Sequence, residues 1–167
     1  RIGDERHPLW DGSGAALVGG RWNSPGRPLI YASLSYGGAM LEILAHANIG
    51  RVPTTHRYVI ADVPTVVPVE QRNASSLPAG WDAESTAAAR RFGDQWLSEL
   101  RSAILLVPSV VARLEWNALV NPAHPQARWN LAYARLLQGR WAEAWPHFHA
   151  RLEVPEAAPN LRAFPQP

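Results

Sequence analysis

The sequence predicts an α+β domain followed by a C-terminal helical hairpin, and three observations carry that prediction. Short runs rich in apolar and β-branched residues, at Leu29–Ala32, His56–Val63 and Ile104–Val107, have the length and composition of strands. Segments with helical spacing alternate with them, at Ala39–Ala45 and over about 82–101. From Ala127 to Glu153 the pattern is helical, split at Gly139. A chain of 167 residues with 47% hydrophobic and 18% charged residues is globular and long enough to bury a core.

Asp4 to Val18 mixes charge, proline and glycine and reads as a loop with at most a short strand, its Trp10 packing on the domain. Gly19 and Gly20 let the backbone turn and present Arg21, Trp22 and Asn23 as the head of a loop. Leu29–Ala32 follows as a buried strand with Tyr31 near its end. Ser33 or Ser35 then offers an oxygen to the free amides of the next helix. Beyond that helix, His56–Val63 alternates as a strand, and Pro64 and Pro68 mark an edge or bend, since proline cannot donate to a sheet ladder. Gln71 to Gly80 is a polar surface loop. Asp82 or Ser85 caps a helix to about Arg101, whose stripe Ala89, Phe92, Trp96, Leu97 and Leu100 belongs in the core. Ile104–Val107 is a continuously apolar strand broken by Pro108, which leaves Ser109 near its end.

Glu42 stands out because it is a single carboxylate within Ala39–Ala45, a segment apolar on nearly every side. Burying an unpaired carboxylate is costly, so Glu42 has a polar partner, reaches a cleft, or sits at the helix edge and pairs with His46 one turn on. Arg21, Tyr31 and Glu42 arrive by loop, strand and helix in succession and can converge on one cleft. Arginine's planar fork suits a diphosphate, an aromatic ring offers a stacking surface, and a carboxylate holds a ribose hydroxyl or opposes positive charge.

The pieces GGRWN at Gly19–Asn23, G-x-P-L-I-Y-A-S ending at Ser33, and A-x-L-E-x-L-A-H ending at His46 occur in order at compatible spacing. Together they resemble the RES-domain family, toxins of bacterial toxin–antitoxin pairs named for an arginine, a glutamate and a serine. Matched residue by residue, Arg21 is the family arginine, Tyr31 its strand tyrosine and Glu42 its glutamate. Ser109 is similar to its serine, and Asn117 to Pro125 is similar to its closing N-x-L-x-N-P-x-H-P. Arg1 resembles a second arginine that helps hold phosphates. The resemblance covers roughly Arg1 to Pro125. It implies a fold like the diphtheria-toxin-type ADP-ribosyltransferases, with a central mixed or antiparallel sheet and flanking helices, and it implies NAD as a consumed substrate with no metal. Arg1, Arg21, Tyr31, Glu42 and Ser109 would bind NAD, with Arg21, Tyr31 and Glu42 catalytic. The acceptor of ADP-ribose would be a protein, phosphate or water, and the partner a cognate Xre-like helix-turn-helix antitoxin.

Composition narrows the alternatives. All 16 basic residues are arginine, spread along the chain against 14 acidic ones, a balance too weak for direct nucleic-acid binding. Without cysteine there is neither disulfide nor thiolate zinc site, and without lysine no phosphate loop of the Walker type. Ser109 lacks the glycine-flanked elbow of a hydrolase, and His46 and His124 read as residues satisfying local hydrogen bonds. No apolar run approaches a membrane span, so the expectation is a cytoplasmic protein. Residues 1–125 are the expected catalytic domain, 126–153 a helical hairpin packed on it, and 154–167 an extended tail. In the hairpin Leu131, Ala134, Leu136, Gly139, Ala142, Ala144 and Phe148 resemble a tetratricopeptide-like pattern, interrupted by Pro146. That hairpin and the eight tryptophans also suit a competing class, a non-catalytic interaction module or nucleotide-binding protein.

Overall fold

The computed structural model describes residues 1–47 and 54–154. The chain divides into two compact units, Arg1–Asn121 and Pro122–Pro167. The first holds a mixed four-stranded sheet, an antiparallel strand pair and three helices, so the α+β expectation matches the observed architecture.

β1 (Ile2–Asp4) pairs antiparallel with β3 (His56–Tyr58). The larger sheet has the order β2 (Ile30–Ser33), β6 (Trp116–Val120), β5 (Ile104–Pro108), β4 (Val69–Gln71). Only the β4–β5 pair is parallel. Several expectations are corrected here. Asp4–Val18 contains a helix, α1 (Ser13–Val18), because Asp11 accepts from both the amide and the hydroxyl of Ser13 and starts the turn. Trp10 within that stretch is exposed. The strand expected to reach Val63 stops at Tyr58, where its partner β1 begins. Gln71 ends an edge strand that starts just after Pro68, and the polar stretch beyond it contains a 3-10 turn at Ala74–Ser76 capped by Asn73. β6 is a central strand missed in the sequence, since its single Ala-Leu-Val run is short and flanked by asparagines.

The two faces of the sheet bury different cores. Register places Tyr31, Leu119 and Leu105 in one row and Ser33, Asn117 and Val107 in the next, on the same face. That face packs Leu105, Val107 and Leu119 against Leu29, Trp22, Trp81, Trp96 and Leu97. The opposite face carries Ile104 and Ala118, with Ala103 beside them. α3 (Ala87–Glu99) supplies Ala89, Trp96 and Leu97 to the main core with Phe92 packed against it, and Trp96 donates its indole N–H to Ser102 at 2.8 Å. Leu100 of the expected stripe is exposed, because the helix ends at Glu99 and Leu100 turns left-handed, with φ of 52°. The helix starts after Thr86 rather than at Asp82 or Ser85. Asp82 instead pairs with Arg113 at 2.8 Å.

The second unit contains α4 (Pro125–Leu137) and α5 (Trp141–Phe148), with a 3-10 turn at His149–Glu153. His124 caps α4 by accepting from the Gln126 amide, and proline at the first helical position costs no hydrogen bond there. Gly139, with φ of 72°, reverses the chain as the sequence suggests. The buried residues of the hairpin are Gln126, Ala132, Ala144 and Ala150, small except for Gln126; of the expected pattern Ala144 is buried, whereas Leu131 is exposed and its neighbour Ala132 is buried instead. Pro146 is accommodated inside the short α5, and Trp145 stacks on Phe148 at 4.9 Å between ring centroids. Of the expected tail, 154–167, Val154 is buried and residues 155–167 lie outside the described residues.

Candidate active site

The site begins where the main core runs out of apolar residues. Along β2 the inward side chains change from Tyr31 to Ser33, along β6 from Leu119 to Asn117, and beyond β5 from Val107 to Ser109. Three polar side chains therefore rim one end of the core face. α2 (Tyr36–Ala47) lies against β2 and β1 and brings Glu42 onto that rim. Its start is set by Ser35, which accepts from the Gly38 amide at 2.9 Å and donates to Glu115 at 2.7 Å.

Glu42 thus has polar partners, and His46 is only one of them. Its Oε1 accepts from the Ser109 hydroxyl and from Asn117 Nδ2, both at 2.7 Å. Its Oε2 faces His46 Nε2 at 3.2 Å. The Glu42 side chain is 20% exposed and that of His46 is 78% exposed, so the two oxygens differ. One is held from inside the fold and the other, among the described residues, faces a solvated imidazole. Burial alone would raise the Glu42 pKa, but the hydrogen bonds from His46, Asn117 and Ser109 outweigh it and hold the carboxyl down to about 2. The same contact with Glu42 raises the His46 pKa against its own burial and the repulsion of Arg21.

Ser109 is fully buried. Its hydroxyl accepts from the Val111 and Ala112 amides at 3.1 and 2.9 Å, which directs its proton to Glu42. A serine arranged this way orients a carboxylate and is not poised as a nucleophile.

The loop carrying Arg21 is fixed by groups that the sequence left unassigned. Asn23 is wholly buried and donates to the carbonyls of Ala15 and Arg27, each at 2.8 Å. Tyr31 donates its hydroxyl to Asn23 Oδ1 at 2.8 Å and accepts from the Trp22 amide at 3.0 Å. Burial pushes the phenol up to about 12, against the Trp22 hydrogen bond and the charge of Arg90, which lower it. Asp94 on α3 holds the Ser24 amide and hydroxyl at 2.9 and 2.5 Å. Gly20 is required because an added Cβ would stand 2.4 Å from the Tyr31 oxygen.

Arg21 donates Nη1 to the carbonyls of Trp81 and Ala83, at 3.1 and 2.8 Å. Its Nε and Nη2 have no hydrogen-bond partner among the described residues and it forms no ion pair there, although its charge acts on the Asp82 carboxylate. Its charge acts on both Tyr31 and His46. Arg1 is likewise held by a carbonyl, that of Asp11 at 2.6 Å, just before β1. Most other arginines of this unit, such as Arg6, Arg27, Arg57 and Arg72, are spent on ion pairs. The structure therefore joins Glu42 directly to Ser109 and places the Arg21 charge near His46 and Tyr31. Among the described residues no hydrogen bond or ion pair joins Arg1 to these groups. Asn117, His46, Asn23 and Arg90, which donates to the Gly20 carbonyl at 3.1 Å, are additional neighbours. Asn117 was detectable in principle, because Asn117, Leu119 and Asn121 alternate as one strand face. Among the described residues no group of three or more His, Asp or Glu side chains is arranged to hold a metal, and no helix is long and apolar enough to cross a membrane.

Comparison with known proteins adds to this geometry. The RES domain matches residues 1–145, beyond the Pro125 at which the likeness in sequence motifs was placed. The Prs ADP-ribosylating toxin of Sphingobium sp. (strain YBL2) is 43% identical over 120 residues, 70% of this chain and 74% of that protein. A protein named Toxin Res from Pseudomonas putida is 39% identical over 119 residues, covering 70% of this chain and 80% of its own. Another Toxin Res, from Photorhabdus laumondii subsp. laumondii, is 32% identical over 114 residues, 68% of this chain and 72% of that protein.

Proposed function

The chain belongs to the RES domain family, and from that premise we propose that it cleaves the bond between nicotinamide and ribose in NAD and passes ADP-ribose to an acceptor, as the toxin of a toxin–antitoxin pair. The observation that carries this reading is the Glu42 carboxylate, held ionised by Ser109 and Asn117 with its second oxygen near the rim of the fold. Nicotinamide leaves as a neutral molecule from a cationic pyridinium, taking the electron pair of the glycosidic bond, so no general acid is needed. The demand falls on opposing the positive charge that builds on the ribose and on holding the diphosphate still. Glu42 would accept from a ribose hydroxyl and oppose that charge. Arg21, whose Nε and Nη2 are uncommitted among the described residues, would grip phosphate oxygens with Arg1. Tyr31 would offer its ring to the nicotinamide ribose while its hydroxyl fastens the arginine loop.

The name of the Sphingobium relative favours a protein acceptor. Phosphate and water are the other acceptors compatible with the same first step. An enzyme that drains NAD or modifies host proteins endangers its own cell, which supports a cognate antitoxin, of the Xre-like helix-turn-helix type, covering the cleft. Incubation of the purified protein with NAD, with mass analysis of every product, tests the reading. Release of nicotinamide supports it, and unchanged NAD in the presence of phosphate and of host lysate would favour a non-catalytic module instead. Capture from the native host with a Glu42→Gln bait tests the partner, and recovery of the bait alone would count against an antitoxin.

A further inference from the structure

We propose that Asn117 is a positioning residue, which together with Ser109 pins Oε1 of Glu42 so that Oε2 alone is presented to substrate, with Ser33 fixing the orientation of the amide. The proposal rests on the reading of Glu42 as the working carboxylate. Its basis is a chain of hydrogen bonds whose direction chemistry dictates. A carboxylate only accepts, so Asn117 must turn Nδ2 toward Glu42, as observed at 2.7 Å. Its Oδ1 must then accept, and the Ser33 hydroxyl donates to it at 2.8 Å. Ser33 and Asn117 are directly cross-strand on β2 and β6, so two rigid strands set the position of the amide. Ser109 approaches the same oxygen from beyond β5, its proton aimed by two backbone amides.

Two donors therefore converge on one oxygen, while among the described residues the other meets the exposed His46. A substrate hydroxyl that donates to Oε2 displaces an imidazole in contact with water and leaves the buried hydrogen bonds intact. The arrangement restricts rotation of the carboxylate before substrate arrives, which is the preorganisation that electrostatic catalysis needs.

The test uses Asn117→Ala, Asn117→Asp and Ser33→Ala in the full chain, read by two independent measurements. The first is the titration of the Glu42 carboxyl by carbon-detected NMR, which needs no substrate. In Asn117→Ala the carboxyl should titrate higher than in the parent, and in Asn117→Asp higher still, because an acceptor replaces a donor beside an anion. The second is NAD turnover. Loss of one hydrogen bond to a charged group should lower kcat about 10–100-fold in Asn117→Ala, with KM changed by no more than about threefold. The acid limb of the Asn117→Asp rate profile should move to higher pH. Ser33→Ala, which keeps Asn117 but frees its amide to rotate, should lose about 2–10-fold; it also serves if either Asn117 variant fails to fold. A folded Asn117→Ala whose Glu42 titrates as in the parent would overturn the proposal, as would an unchanged kcat in a parent that turns over NAD. If the parent does not consume NAD, the proposed function fails, and the Glu42 titration still decides the role of Asn117.

Discussion

Replacing Tyr31 with phenylalanine should destabilise the protein far more than the loss of one oxygen suggests. The hydroxyl donates to the wholly buried Asn23 Oδ1 and accepts from the Trp22 amide, so its removal strands one acceptor and one donor at once. Each stranded buried group costs about 1–3 kcal/mol, and some relaxation brings the sum to about 2–4 kcal/mol. Against a total stability of roughly 5–15 kcal/mol this is a large share. For a chain of this length it corresponds to a fall in Tm of roughly 5–15 °C. Since Asn23 and Trp22 hold the loop of Arg21, the Kd for NAD should also rise. Thermal unfolding followed by near-ultraviolet circular dichroism measures the first effect and calorimetric titration the second. A Tyr31→Phe protein with Tm within about 1 °C of the parent and unchanged NAD affinity would refute the assignment of the hydroxyl to loop fastening.

Gly93→Ala would set a Cβ 1.9 Å from the Trp22 carbonyl oxygen, a backbone atom that cannot swing aside. It should cost about 3 kcal/mol or more in denaturant unfolding, where an ordinary helical Gly→Ala would stabilise. Arg21→Lys should lose NAD affinity while keeping Tm, because an ammonium cannot supply the open Nε and Nη2 fork; an unchanged Kd would contradict the phosphate role. The stability contributed by Glu42, whose folded pKa is depressed from 4.5 to about 2, is present above pH 4.5 and lost as pH falls toward 2. His46 has the opposite sign: its raised pKa gives a contribution present below 6.5 and lost as pH rises through the folded value. At its exposed position that share is only about 0.2–1 kcal/mol, so His46→Ala should flatten the upper part of the Tm-against-pH curve slightly and, because His46 is also a donor that holds the Glu42 carboxyl down, move the acid part to higher pH.

The legibility of the sequence varied for physical reasons. Strands with continuous apolar runs, β2 and β5, were read correctly because burial on both faces leaves no other composition. The helical stripe of α3 was equally plain. β6 was not, because its role is divided: Leu119 and Ala118 serve the two cores while Asn117 serves the rim, so its alternation carries an asparagine where an apolar residue would mark the strand face. α1 was hidden for a similar reason, since a helix of six residues started by an Asp11 turn leaves almost no periodic trace. Glu42 and Ser109 were recognisable as candidates one at a time, but the bond between them spans 67 positions and needed the fold to reveal it. The hydroxyl of Tyr31 was the hardest to read: an aromatic ring near a strand end invites stacking, and only the loop geometry shows what its oxygen does.

The measurement that bears most directly on the central claim is nicotinamide release from NAD by the parent and by Glu42→Gln, run side by side. Glutamine keeps the size and the acceptor for Ser109 and Asn117 but removes the charge that would oppose the developing cation. Nicotinamide release by the parent is expected, with a loss of about 10²–10³-fold or more in the variant, which should stay folded but at a lower Tm because the stability contributed by the ionised carboxyl is lost. A folded Glu42→Gln protein that releases nicotinamide at the parental rate would contradict it, leaving Glu42 a structural residue of the rim.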